Sequence, residues 1–300
     1  MVIRSAPALV AAALLAIAAA ACGGGSKPAE RAAAPPPAPP PSPFAYDRSR
    51  PLAPRVVERH GIVREVTYAV PGSRRARAVL VVPRGQGPFP AVLYLHGAGG
   101  TRHDFLPDAG ALARRGFAAL LVESAWVDAA FPGVAGMAAV RRFRDLEAAT
   151  VVRLRRGVDL LRSLPEVDGR RLGFVGWSAG ARAGAILAGV EPRVRAFVLI
   201  AGGAAPVSAY LTGAPTPLRP ELQRLLETVD PLHWVRAARP GTIFFQDGLR
   251  DEVVPRDALE RLAAAAPAPQ RVRWYPAEHR PTPAMVRERN AWLAARLGSR

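Results

Sequence analysis

The strongest constraint on the fold of this 300-residue chain is a set of apolar runs that do not alternate. Ala78–Val82, Ala91–Leu95, Phe117–Val122, Leu172–Val175, Ala196–Ile200 and Thr242–Phe245, with a weaker run at Val272–Tyr275, place Val, Leu, Ala and Phe at consecutive positions. Successive side chains of a strand point to opposite faces, so a strand that is apolar throughout is buried on both. Helical patterns lie between the runs. The clearest covers 141–164, where Phe143, Leu146, Thr150, Leu154, Val158 and Leu161 recur at steps of three and four. Further helices are expected near 105–115, 179–189, 255–265 and 283–297. Alternating strand and helix predict an α/β fold with a mostly parallel central sheet and helices on both faces. Ile62–Val70 and Ala76–Val82, separated by PGSRR, predict an antiparallel hairpin leading into that sheet. The stretch 202–239 breaks the rhythm. It reads equally as an irregular connection with a short helix near 220–228 or as cover for a pocket.

The N-terminus differs in kind. MVIRSAPALVAAALLAIAAAAC carries one cation, Arg4, then an apolar run ending in small residues, the layout of an export signal over 1–21. Cys22 is the only cysteine, which excludes an intramolecular disulfide and a cysteine-based metal site. Its place after Ala19-Ala20-Ala21 resembles the lipobox of bacterial lipoproteins, with Ala19 where that signal usually carries leucine. The resemblance implies cleavage before Cys22, lipid attachment there, and a membrane-anchored protein on the periplasmic or outer-surface side of a bacterial envelope; plain secretion is the alternative. Residues 22–54, with PPPAPPPSP at 35–43, read as an extended, polyproline-like tether. That leaves 55–300 for one domain. The formal charge of +17 is carried by arginine, with Lys27 the one lysine, and spreads along the chain without an aromatic-basic cluster. No nucleic-acid partner is expected.

Ser178 lies in LGFVGWSAGAR, between a predicted strand and a predicted helix. A nucleophile in so tight a turn needs no side chains two residues to either side, and Gly176 and Gly180 supply that. A serine hydroxyl is a weak nucleophile and needs a base, for which histidine is suited by its pKa. In a strand-turn-helix arrangement of this type the base follows Ser and then Asp or Glu along the chain. That order removes His60, His96 and His103 and leaves His233 and His279. His279, in the loop after the last predicted strand, is preferred, because His233 precedes the best acids. Those acids lie in FFQDGLRDEVVP, where Asp251 projects from the loop and Asp247 is the runner-up. An oxyanion needs two backbone N–H donors. One is expected from Ala179, the other from Ala98 or Gly99 in HGAGG, a loop small enough to approach substrate closely. A dinucleotide-binding G-x-G-x-x-G fails there at Arg102.

With HGAGG, GWSAG, GLRDEVVP and a late histidine in this order, residues 60–300 resemble the α/β-hydrolase superfamily, and within it the dienelactone hydrolase and prolyl-oligopeptidase-like branch. The resemblance implies Ser178 as nucleophile, His279 as base, Asp251 as acid, and Ala179 with Ala98 as oxyanion donors. Dienelactone hydrolases proper carry cysteine in place of this serine, and prolyl oligopeptidases add a propeller domain. The expected activity is hydrolysis of a small-molecule carboxylic ester or similar acyl bond, needing no metal or organic cofactor. The alternatives are a peptidase or amidase on the same triad, and a non-catalytic binding lipoprotein on a hydrolase fold. Substrate contacts are expected from Trp177, Trp126, Phe131, Tyr210 and Trp234.

Overall fold

The computed structural model describes residues 42–72, 75–129 and 136–298. Nine strands, β1 (Arg55–His60), β2 (Val63–Tyr68), β3 (Ala76–Val81), β4 (Phe89–Leu95), β5 (Ala118–Val122), β6 (Val167–Trp177), β7 (Val194–Ile200), β8 (Ile243–Gly248) and β9 (Arg271–Tyr275), form one sheet in the order β1-β2-β3-β5-β4-β6-β7-β8-β9. The pairings β1–β2, β2–β3 and β3–β5 are antiparallel. From β5 through β9 every pairing is parallel. Among the described residues, eight α-helices accompany them: α1 (Leu106–Ala113), α2 (Gly136–Ser163), α3 (Ala179–Val190), α4 (Val207–Leu211), α5 (Arg219–Glu227), α6 (Pro231–Val235), α7 (Arg256–Ala265) and α8 (Pro283–Leu297).

The non-alternating runs are explained by two cores, one on each face. Phe174 of β6 joins the layer that packs on α2, α3 and α6 through Leu154, Ile186 and Leu232. Its neighbour Val175 joins the layer that packs on α1 and α8 through Leu112 and Leu293. This is the α/β-hydrolase architecture. All the loops that follow β4, β6, β8 and β9 leave from the carboxyl edge of the parallel strands, where such sheets place their ligands.

Three features go beyond the sequence reading. The folded unit begins well before residue 55. Phe44 is fully buried, Tyr46 and Leu52 pack on the same core, and Ala69 N–H donates to the Leu52 carbonyl at 2.7 Å. The tether's proline-rich composition concealed these side chains. β1 was not foreseen, because RVVERH is exposed at all six positions and carries no buried face to detect. The stretch 202–239 holds α5, where a short helix near 220–228 was expected, and the further short helices α4 and α6. Asp230 caps α6 by accepting the Leu232 N–H at 2.9 Å.

Candidate active site

Ser178 is the single residue between β6 and α3, and it has φ 55 and ψ −117, a region that non-glycine residues avoid. Two anchors hold it there. Its N–H donates to the Ile200 carbonyl of β7 at 2.8 Å, and its carbonyl accepts the Ala181 and Arg182 N–H groups at 2.9 and 3.1 Å. The flanking glycines are required by contact: a Cβ at Gly176 would lie 2.4 Å from the Gly180 carbonyl oxygen, and one at Gly180 would lie 2.3 Å from that of Leu95.

The loop after β8 is pinned to the loop after β9. Leu249 and Arg250 N–H donate to the Tyr275 and Ala277 carbonyls at 2.8 and 3.0 Å. This brings Asp251 to His279. The Asp251 carboxylate is 1% exposed; Oδ1 accepts the Val253 and Val254 N–H groups at 2.9 Å each, and Oδ2 lies 2.9 Å from Nδ1 of His279. Trp177, adjacent to Ser178, donates its indole N–H to the His279 carbonyl at 2.8 Å, and the two rings are 5.4 Å apart. The residue next to Ser178 is thus bonded to the main chain of His279, and Trp177 braces the loop that carries the histidine. Asp247 is buried at the end of β8, where burial first and the neighbouring Asp251 charge second push its carboxyl up to about 7 against the Ala201 N–H. His233 is exposed on α6 and stands against Trp234, away from this cluster.

The loop after β4 lies against the serine. A Cβ at Gly97 would come within 3.0 Å of the Trp177 ring and 3.3 Å of Ser178 Cβ. The Gly97 carbonyl is gripped by His96 Nδ1 at 2.8 Å and by Gly100 N–H at 3.1 Å. In a trans peptide the next N–H points the opposite way, so this grip fixes the direction of the Ala98 N–H. His96 is itself buried: its Nε2 lies 3.2 Å from Ser124 N–H and 3.3 Å from Oε1 of Glu123. Burial raises the Glu123 carboxyl, but His96 and Arg102 outweigh it and hold the group at about 2. Sequence order set His96 aside as a base and gave no sign of its contacts with Gly97 and Glu123.

Trp126, Glu147, Arg182 and Tyr210 form a second cluster. The Trp126 indole donates to Glu147 at 2.8 Å. Arg182, one turn after Ser178 on α3, donates to the Gly203 carbonyl at 3.4 Å and interacts with Tyr210, Glu147 and Asp230. Helical side chains lean towards the N-terminus, which directs Arg182 to the serine's end of α3. Neither Arg182 nor Glu147 was singled out from sequence, although the i,i+4 spacing from Ser178 was readable. Trp234 is not brought to the site. It packs edge-on against Phe44 at 5.2 Å, and its carbonyl abuts Gly189, eleven residues along α3 from Ser178 or about 16 Å at 1.5 Å per residue. Phe131 and Cys22 lie outside the described residues.

Several known proteins resemble this chain. It is 29% identical to acyl-coenzyme A thioesterase 1 of Mus musculus over 214 residues, 71% of this chain and 44% of that protein. With the mouse peroxisomal succinyl-coenzyme A thioesterase it shares 32% identity over 53% of this chain and 34% of the relative. The chain thus spans less than half the length of these curated relatives. Among solved structures, acetyl xylan esterase 1 from Thermoanaerobacterium sp. superposes with a TM-score of 0.69 at 18% identity, covering 84% of this chain and 90% of that one. The acetyl xylan esterase of Paenibacillus sp. R4 gives 0.68 at 17% identity, over 98% and 95%. Residues 76–283, from β3 into the first turn of α8, match the profile of the dienelactone hydrolase family, so this chain belongs to that family.

Proposed function

We propose that the chain cleaves carboxylic esters through an acyl-enzyme on Ser178, with His279 as base and Asp251 as the acid that orients it. Ser178 Oγ attacks the ester carbonyl while Nε2 of His279 takes its proton. The oxyanion receives the N–H groups of Ala179 and Ala98, with Gly99 beside them. Collapse expels the alcohol, protonated by the same imidazole. Water, deprotonated in turn by His279, then attacks the acyl carbonyl and releases the acid. Trp126, Tyr210 and Arg182 form the wall facing the acyl or alcohol part.

One observation carries this reading: a serine held at φ 55 between strand and helix, next to a tryptophan that is bonded to a histidine whose Nδ1 is 2.9 Å from a buried carboxylate. The test is labelling with a fluorophosphonate. The wild type is expected to label, Ser178→Ala not to label, and His279→Ala to label far more slowly. Labelling that persists in Ser178→Ala would exclude the assignment. A thioester is the second reading, favoured by the names of the curated relatives. Comparing turnover of an aryl acetate with that of acetyl-coenzyme A separates the two. Export and lipid attachment at Cys22 complete the proposal; radiolabelled palmitate incorporated by the wild type and absent from Cys22→Ser is the expected result.

A further inference from the structure

At the edge of the sheet opposite Ser178, the amino ends of β6 and β7 border a depression of about 170 Å³. Five of its seven lining residues are arginines, Arg162, Arg170, Arg193, Arg195 and Arg239, and none is acidic. Composition alone does not produce this, because Lys and Arg together make up 41 of 300 residues. Three of the five are placed in advance. Arg193 is held by Glu191 and Asp159 at 2.6 Å each, Arg239 donates to the Pro192 carbonyl at 2.8 Å, and the stem of Arg162 lies on Gly169, where a Cβ would come within 2.8 Å of it. The nearby carboxylates are already engaged by arginines, Arg193 of the lining among them. Glu191 and Asp159 also hold Arg155 and Arg156, while Asp168, which feels Arg170, is bonded to Arg171 at 2.8 Å. Arg162 and Arg195 are exposed and make no ion pair among the described residues.

We propose that this depression binds a phosphate-bearing ligand carrying two or more negative charges, such as a diphosphate or phosphomonoester group. Guanidinium forks match phosphate oxygens two at a time, and like charges converging on one hollow favour a multiply charged anion over a single one. From Gly169 to Ser178 along β6 the separation is roughly 27 Å at about 3 Å per strand residue, so the ligand does not reach the serine. Through Asp159 the depression adjoins Tyr46, whose hydroxyl donates to that carboxylate at 2.8 Å. The phosphate can therefore be free, or the headgroup of a lipid next to the segment that leads to the N-terminus; the chemistry recognised is the same.

The test titrates the full chain with inorganic pyrophosphate in a calorimeter and, separately, sediments it with phosphatidylcholine vesicles with and without phosphatidic acid. Saturable pyrophosphate binding is expected, weakened by roughly tenfold or more in the Arg162→Ala/Arg195→Ala variant and unchanged in Arg114→Ala/Arg115→Ala on another face. Sedimentation that depends on phosphatidic acid and is lost in the same variant identifies a lipid source; pyrophosphate binding without it identifies a soluble one. Failure of both probes to bind, or equal binding by the wild type and the Arg162/Arg195 variant, overturns the proposal. Fluorophosphonate labelling of each variant reports folding and the serine separately, so neither reading depends on the other.

Discussion

Asp251 accepts two backbone N–H bonds and faces His279, whereas the buried Asp247 carboxyl, four residues earlier, leaves Oδ2 without a partner among the described residues. The two should therefore respond differently to the same substitution. Asp251→Asn is expected to lower kcat/KM by about 10³ to 10⁴ and Asp247→Asn by less than about tenfold. Steady-state kinetics on an aryl ester decides, and the reverse order would make Asp247 the orienting acid. Stability should separate them too. Asp247 titrates near 3.8 when unfolded and at about 7 in the fold, so the folded state binds its proton more tightly. The stability this gives is full below about pH 4 and declines as pH rises through about 7, by up to about 4 kcal/mol at ~1.4 kcal/mol per pH unit. Asp247→Asn is therefore expected to melt above the wild type at pH 8 and to converge with it towards pH 4, as followed by circular dichroism. His96→Ala frees the Gly97–Ala98 peptide and is expected to lower kcat by about 10- to 100-fold with little change in KM. At this scale the sequence disclosed the strand–Ser178–helix turn and ranked His279 above His233, because strand context and chain order are linear properties. It ranked Asp251 above Asp247 without separating them, since only the backbone decides which one the imidazole meets. Arg182 was hidden among many arginines, and Trp234 was misplaced because a large aromatic more often fills a core than lines a pocket.

The turn between β6 and α3 is an element that two glycines make possible. A methyl group at Gly180 would strike the Leu95 carbonyl at 2.3 Å and that of His96 at 2.7 Å, both main-chain atoms at the end of β4 that cannot swing aside. Gly116, at φ 76 in the turn from α1 to β5, has open space where its Cβ would stand. Gly116→Ala is expected to cost only the backbone penalty of about 1–2 kcal/mol and to keep full activity. Gly180→Ala should exceed the ~1–3 kcal/mol of ordinary overpacking and abolish turnover, because β4, the loop after it and the serine turn separate together. Thermal melts and ester kinetics on the pair check this; equal losses in the two variants would mean that the turn is looser than its contacts imply. Legibility at this scale followed burial. β4 to β8 are covered on both faces and stand out as apolar runs, whereas β1 is held by main-chain bonds to β2 and the polar start of β6 by register alone. Neither leaves a periodic trace.

Across the whole molecule, the segment from Ser42 to Leu52 straps the outer layer together. The Phe44 carbonyl accepts from Arg155 at 2.6 Å and its ring meets Trp234 edge-on; the Arg50 carbonyl accepts from Arg156 at 2.9 Å; Tyr46 donates to Asp159. The strap thus joins α2, the loop after α3 and α6, none of which holds the serine. Phe44 is 0% exposed, so Phe44→Ala leaves a cavity in a packed core and is expected to cost about 3–5 kcal/mol. For a domain of this size that corresponds to a fall in Tm of roughly 10 °C. Tyr46→Phe removes the hydrogen bond donated to Asp159 and the longer one accepted from Arg193, and should cost about 1–2 kcal/mol. Neither substitution should alter kcat, because Trp234 and the far end of α3 stand between the strap and Ser178. Calorimetric melts of both variants, with ester kinetics below the transition, give the comparison. An unchanged Tm in Phe44→Ala would return residues 42–54 to the tether that their proline content suggests and start the domain at β1. A drop in Tm with kcat intact would instead fix the domain boundary ahead of Phe44, where a proline-rich composition ends and the first large aromatic side chain finds a core.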